Sequence, residues 1–242
     1  MSPLRSPAVT LRSLEAALRG PLPGRTAHLQ AWPAELPGRG LEMAPEELRP
    51  AAVLLGLLFQ QERGQEEQGQ GERRPEERGN DERGQEERGR FRIPLIRRPP
   101  TMAQHAGQIA FPGGTLEDAE TPRECALRET FEEIGLAAGE VEILGRLSPV
   151  VIPVTGFRVE TFVGSIAGTP AWSLKEEEVA ELLFADPDEL AAKGPSARIE
   201  RKLRDGRVWS IPAFPVGEVR VWGATALMLA EFLWVWRSLP AE

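Results

Sequence analysis

The sequence predicts an α/β sandwich built on a mixed sheet, in one domain. Two observations predict it. Segments with helical spacing and short strand-like runs alternate irregularly along the chain, which suggests helices packed on a mixed sheet. The 242 residues are 41% hydrophobic and 27% charged, close to the globular average, so one sizeable core can form.

From the N-terminus, Val9, Leu11, Leu14, Ala17 and Leu18 recur with helical spacing, and 20–50 is a Pro/Gly-rich connection. Residues 1–50 or so are thus read as a helical extension of a single domain that runs over 1–242. Ala51–Phe59 and Phe91–Ile96 are apolar runs that read as strands. Between them, 61–90 is of low complexity. Glu-Arg-Gly-Gln-Glu-Glu at 62–67 returns at 82–87, and the segment has no apolar residue at all. It can bury nothing, so a solvated loop lengthening a strand–strand connection is expected. The other reading of the repeat is a partner-binding tether.

Thr121-Pro122-Arg123-Glu124 places Thr at the N-cap, Pro in the first turn and Glu at the third position, and Gly135 supplies a stop. A helix over 122–134 follows. Strands are expected at Val141–Leu147, Arg158–Ser165, Leu182–Ala185 and Val208–Pro212, with a turn near 178 entering the third of them. Gly223–Arg237 closes the chain as a helix. Trp209 and Trp222 read as core residues. Phe232, Trp234 and Trp236 with Leu227 and Leu229 either cap the core or form the surface of a homodimer.

Composition excludes several functions. Net charge is −8, without the basic excess of a general nucleic-acid binder. Cys125 is the single cysteine, so no disulfide framework can form within the chain and the reducing cytoplasm is the expected location. The stretch 1–19 carries Arg5, Arg12 and Arg19 without an apolar core and does not read as a signal peptide. The most apolar stretch, Ala224–Trp236, contains Glu231 and is too short to span a bilayer of ~30 Å. No membrane partner is expected.

The chemistry concentrates on the 122–134 helix. Glu129, Glu132 and Glu133 are offset by three and four residues and share a face. Three carboxylates on one face repel, and Arg128 can pair with one of them at i,i+4. A hard divalent cation such as Mg²⁺ favours such an all-oxygen set. Alone, the triplet also reads as a solvated acidic face. Just upstream, Phe111-Pro112-Gly113-Gly114 is a turn that lets backbone approach closely.

Together these residues form Gly114, five residues, Glu120, seven residues, then Arg128-Glu129-Thr130-Phe131-Glu132-Glu133-Ile134-Gly135-Leu136. The segment resembles the Nudix box, G-x5-E-x7-R-E-U-x-E-E-x-G-U, with Thr130 in place of the first aliphatic U. The resemblance implies a Nudix α/β/α sandwich that hydrolyses a nucleoside diphosphate linked to some moiety. It further implies Glu129, Glu132, Glu133 and the Gly113 carbonyl as ligands of Mg²⁺ or Mn²⁺. Arg128 would orient the acids and Glu120 would support the loop. The proton acceptor would be Glu129, or an acid among Glu176, Glu177, Glu178 and Glu181.

The flanks resemble the coenzyme A diphosphatase branch, roughly L-L-T-x-R-S-x3-R-x3-G-x3-F-P-G-G. Leu95, Arg98, Gly107 and the Phe-Pro-Gly-Gly turn match, while Ile96, Pro99 and Ala103 depart from it. Pro153–Val159, Glu178–Glu181 and Val221–Ala226 also look like that branch. The resemblance implies cleavage of coenzyme A (CoA) or its thioesters, with Arg97, Arg98, His105 and Gly107 at the substrate. Arg97 and Arg98 also fit a strand edge, and His105 also fits a simple loop tie. Cys125 reads as a buried filler rather than a nucleophile. The alternatives are the same hydrolysis of ADP-ribose, a dinucleoside polyphosphate or a damaged nucleotide, or a non-catalytic nucleotide-binding module.

Overall fold

Strand β1 (Arg49–Gln61) is the axis of the fold in the computed structural model, which describes residues 7–34, 48–61, 89–102, 105–152, 155–202 and 206–240. Its apolar run is covered on both faces, as a central strand requires. Side chains alternate across a strand. The odd positions Ala51, Leu55 and Leu57 join one core, and the even positions Ala52, Leu54 and Leu58 join the hydrophobic clusters on the opposite face.

β7 (Phe157–Ile166) runs parallel to β1 from Arg49↔Phe157 to Leu58↔Ile166, and β5 (Val141–Arg146) and β6 (Val150–Ile152) pair antiparallel with β7. On its other side β1 is shared. Its C-terminal end pairs with β2 (Gly89–Arg97), and its N-terminal end pairs with β4 (Gly113–Thr115). Beyond that contact β2 turns to β8 (Glu181–Ala185) and to β3 (Ile109–Ala110). Between the two contacts on β1, the Leu54 amide donates to the Pro112 carbonyl at 2.9 Å. The Phe-Pro-Gly-Gly turn is thereby stitched into the middle of the sheet. Parallel and antiparallel pairs occur together, so the sheet is mixed as expected.

Helix α3 (Pro122–Ile134) covers the even face through Cys125, Ala126, Thr130 and Ile134. Thr130 is buried, and its hydroxyl is satisfied by donating to the Ala126 carbonyl at 2.6 Å. The odd face is covered by α1 (Pro7–Leu18), the short α2 (Arg25–His28), α4 (Pro187–Lys193) and the long α5 (Ala224–Ser238). The result is an α/β/α sandwich. The N-terminal extension belongs to the same core, because Leu14, Leu18 and Ala31 are buried in it.

Glu231 pins that extension. It lies at 0% exposure in α5 and accepts from the Gly24 amide (3.0 Å), the Ser148 amide (3.1 Å) and the Ser148 hydroxyl (2.7 Å), and bonds His28 Nε2 (3.0 Å). Burial alone would raise its pKa. The bonds from His28 and Ser148 outweigh burial and hold the carboxyl below its ordinary value.

Gln61 and Gly89 are paired, so 62–88 joins the two arms of an antiparallel hairpin, as its flanks suggested. The repeat itself lies outside the described residues. A second sheet consists of β9 (Ala197–Lys202), β10 (Val208–Val216) and β11 (Val219–Val221). β10 is longer than the expected Val208–Pro212 and runs through Pro212 and Pro215. It tolerates both, because each proline is paired on one side only, Pro212 with β9 and Pro215 with β11. Trp209 and Trp222 are half-buried here, a correction to the core reading, and the Arg201 guanidinium lies 5.5 Å over the Trp222 ring. In α5, Leu227, Leu229, Phe232 and Trp236 cap the core, and Trp234 remains 41% exposed. Among the described residues no helix is long and apolar enough to cross a membrane.

Candidate active site

The site begins with a helix fixed at both ends. The Thr121 hydroxyl accepts from the Glu124 amide, and the Glu124 carboxylate accepts from the Thr121 amide at 2.9 Å, which completes the capping box. Gly135 takes φ 76° at the other end, where its amide donates to the Phe131 carbonyl.

The chain then returns to this helix end. The Ser173 amide donates to the Ile134 carbonyl and the Lys175 amide to the Glu133 carbonyl, both at 3.0 Å. These bonds satisfy carbonyls left over at a helix C-terminus. A turn at 175–178 follows and brings Glu178 over α3. Carboxylate oxygens of Glu129, Glu133 and Glu178 lie within 4.8 Å of one another. Of the expected acid triplet, the structure thus gathers Glu129 and Glu133 and adds Glu178. Glu132 lies outside this group, at the exposed edge, where it accepts from Arg128 at 3.2 Å. Glu178 itself pairs with Lys175 at 2.7 Å within the turn.

Arg128 organises the rim. Its Nε and Nη2 grip Glu120 at 2.8 and 3.0 Å, and its Nη1 donates to Glu129 at 3.0 Å. This fork holds the Glu120 carboxyl below its ordinary value and raises the arginine's own.

Glu133 is the most buried acid of the site, at 1% exposure. Its nearest partners are the Gly113 amide, which donates at 2.9 Å, and the Arg98 guanidinium at 3.9 Å. A charge-assisted hydrogen bond contributes ~1.5–3 kcal/mol, and desolvating a carboxylate costs several. The remainder appears as a raised affinity for a proton: burial pushes the Glu133 carboxyl up to about 8. Burial raises Glu129 as well. Two raised acids beside a third make a set that a cation would relieve. Three converging carboxylates, all oxygen donors, fit a hard divalent ion.

The glycine turn makes room for this. A Cβ on Gly114 would stand 2.4 Å from the Glu129 carboxyl carbon, and one on Gly113 would stand 2.3 Å from the Ala52 carbonyl oxygen. Gly113 touches the acid group through its amide.

Among the other expected residues, Arg98 joins the cluster through Glu133, and its buried Nε has no hydrogen-bond partner among the described residues. Arg97 pairs with Glu181 at 3.1 Å. The Gly107 amide donates to the Arg98 carbonyl at 3.1 Å and so ties the loop to the strand that carries it. His105 is exposed, and its Nδ1 bonds Gln108 within the loop at 2.8 Å. Cys125 is buried and its thiol is pushed up to about 12 by burial, which suits a packing residue and not a nucleophile.

Comparison with known proteins shows the family. A profile of the NUDIX domain matches residues 83–205, just over half of the chain. Over 157 residues the chain is 32% identical to Nudix hydrolase 3 of Caenorhabditis elegans, a match that covers 57% of this chain and 64% of that protein. Over 143 residues it is 38% identical to the uncharacterized Nudix hydrolase NudL of Pectobacterium atrosepticum, covering 57% of this chain and 71% of that one. The solved structure of RenU, a Nudix hydrolase from M. smegmatis, aligns with 60% of this chain and 74% of that chain at 22% identity and a TM-score of 0.40. The profile match encloses the capped helix, its acids and the glycine turn, and the chain belongs to the Nudix family of hydrolases.

Proposed function

We propose that this chain hydrolyses the diphosphate bond of CoA or its thioesters to 3′,5′-ADP and 4′-phosphopantetheine, or the acylated form of the latter. The observation that carries the hydrolysis is the convergence of Glu129, Glu133 and Glu178 within 4.8 Å beside the Gly113–Gly114 turn. The choice of CoA rests on the residues before that turn, Leu95 to Gly114, and on their resemblance to the CoA branch. Arg98, from that motif, stands 3.9 Å from Glu133, so the motif and the acids adjoin.

Glu129, Glu133 and Glu178 would hold Mg²⁺ or Mn²⁺, with Glu132 and the Gly113 carbonyl as further candidate ligands. A bound divalent ion neutralises the diphosphate and acidifies a water. Water adds to one phosphorus as the bond from that phosphorus to the bridging oxygen breaks, and the bridging oxygen leaves with the other phosphate. Glu129 or Glu178 takes the water's proton. Arg128 keeps Glu129 oriented, and Arg98 offers positive charge where the phosphates would lie.

Mass identification of products after incubation with CoA and Mg²⁺ or Mn²⁺ tests the reading. Stoichiometric 3′,5′-ADP and 4′-phosphopantetheine are expected. Turnover of ADP-ribose or a dinucleoside polyphosphate with CoA untouched would overturn the choice of substrate and leave the reaction class.

A further inference from the structure

A cleft of about 530 Å³ lies between the end of β2, β3 and the small β9–β11 sheet. This volume suits one arm of a cofactor-sized ligand. The chain links the lining of this cleft closely to the acid cluster. Its lining residue Arg97 precedes Arg98, and its lining residue Glu181 lies three residues from Glu178, a span of at most ~11 Å. The two walls are tied where they meet, because the Ala180 amide donates to the Arg97 carbonyl at 2.9 Å.

We propose that this cleft holds the pantetheine arm of the substrate, with Ile199 and Val219 of the small sheet as specificity-determining residues. The inference rests on the CoA reading and decides which half of that molecule goes where. Charge makes the decision. The lining carries two arginines, Arg97 and Arg220, and two glutamates, Glu181 and Glu218. Arg97 and Glu181 already neutralise each other at 3.1 Å, and the sum is zero.

The nucleotide half of CoA bears a 3′-phosphate, and that dianion would face Glu181 and Glu218 with no excess of positive charge to offset them. The pantetheine half is uncharged beyond its own phosphate. It carries two amides, a gem-dimethyl group and a run of methylenes. Ile109, Ile199 and Val219 offer the apolar surface for the hydrocarbon. Arg220 and Glu218 make no ion pair among the described residues, so one can donate to an amide carbonyl and the other can accept from an amide N–H. Val219 and Arg220 lie outside the stretch matched by the family profile.

Amide hydrogen exchange on the full chain tests the placement with no variant needed. With 4′-phosphopantetheine at ten times its Kd, exchange in 197–202 and 217–221 is expected to slow by up to ~10-fold. With 3′,5′-ADP it is expected to stay unchanged there. Filling the cleft gives the second arm: Ile199→Trp and Val219→Trp are each expected to raise KM for CoA by ~10-fold or more with kcat little changed, the signature of lost uniform binding. Binding of 3′,5′-ADP should be retained in both. Protection of these strands by 3′,5′-ADP in place of 4′-phosphopantetheine overturns the proposal, and so does an unchanged KM in both folded variants. If wild type leaves CoA uncleaved, the substrate reading fails and takes the cleft assignment with it. If wild type cleaves CoA and the strands stay unprotected, the cleft assignment alone fails.

Discussion

Glu133→Gln is expected to lower kcat by at least ~10²-fold, the range for removing a charge-stabilising group from an active site. Glutamine is nearly isosteric, and its carbonyl can still accept from the Gly113 amide at the present 2.9 Å. The loss would therefore be one of charge and not of packing. Stability should move the other way. The Glu133 carboxyl is pushed up to about 8 by burial, from an ordinary 4.5. A raised folded-state value favours the protonated group. Its contribution to stability is complete below pH 4.5 and is lost as pH rises through 8. Glutamine mimics the protonated form at every pH. In metal-free buffer the variant should unfold at the same temperature as wild type near pH 4.5 and at a higher one near pH 8. A kcat within twofold of wild type, or a variant less stable than wild type near pH 8 in metal-free buffer, would contradict the assignment of this acid.

Glu231→Leu is expected to cost ~2–5 kcal/mol of folding stability, because a buried donor left unsatisfied costs ~1–3 kcal/mol and this carboxylate serves several. The substitution leaves His28, the Gly24 amide and both Ser148 donors without their acceptor, around a side chain at 0% exposure. The wild-type carboxyl is held below its ordinary value, so its contribution is present above pH 4.5 and is lost as pH falls through the lowered value. Denaturant unfolding at neutral pH and at pH 3 should show the difference between wild type and variant shrinking in acid. A difference below ~1 kcal/mol at neutral pH would mean that the extension is held by its apolar contacts alone.

Much of this molecule is legible in its residues because local rules and burial agree there. The helix over 122–134 has its cap, its first-turn proline and its stop within the segment itself, and the structure begins and ends it at those residues. β1 has no polar residue from Ala51 to Phe59 because that stretch is covered on both sides, and its alternation sorts residues between the two cores. β3, β4, β6 and β11 span two or three residues each, too short for any period to show. β9, Ala197–Lys202, is mostly exposed, and Ala197 and Ile199 are too few to show a period.

The acid site divides in the same way. Glu129 and Glu133 share a helix face by spacing alone. Glu178 could be named only as one acid among four, because its place depends on backbone bonds from Ser173 and Lys175 to the end of α3. Glu231 was visible as a charge in an apolar helix. Its partners come from residues 24, 28 and 148, and no local pattern links them.

The central claim is that three converging acids form a divalent-cation site. Titration of Mn²⁺ into the metal-free chain near pH 7, in buffers of different ionisation heat, tests it most directly. Wild type is expected to bind with net proton release, because Glu133 must give up the proton that burial favours. The Glu129→Gln and Glu133→Gln variants are expected to bind ~10-fold or more weakly. Equal affinity in all three proteins, or binding by wild type without proton release, would contradict the account.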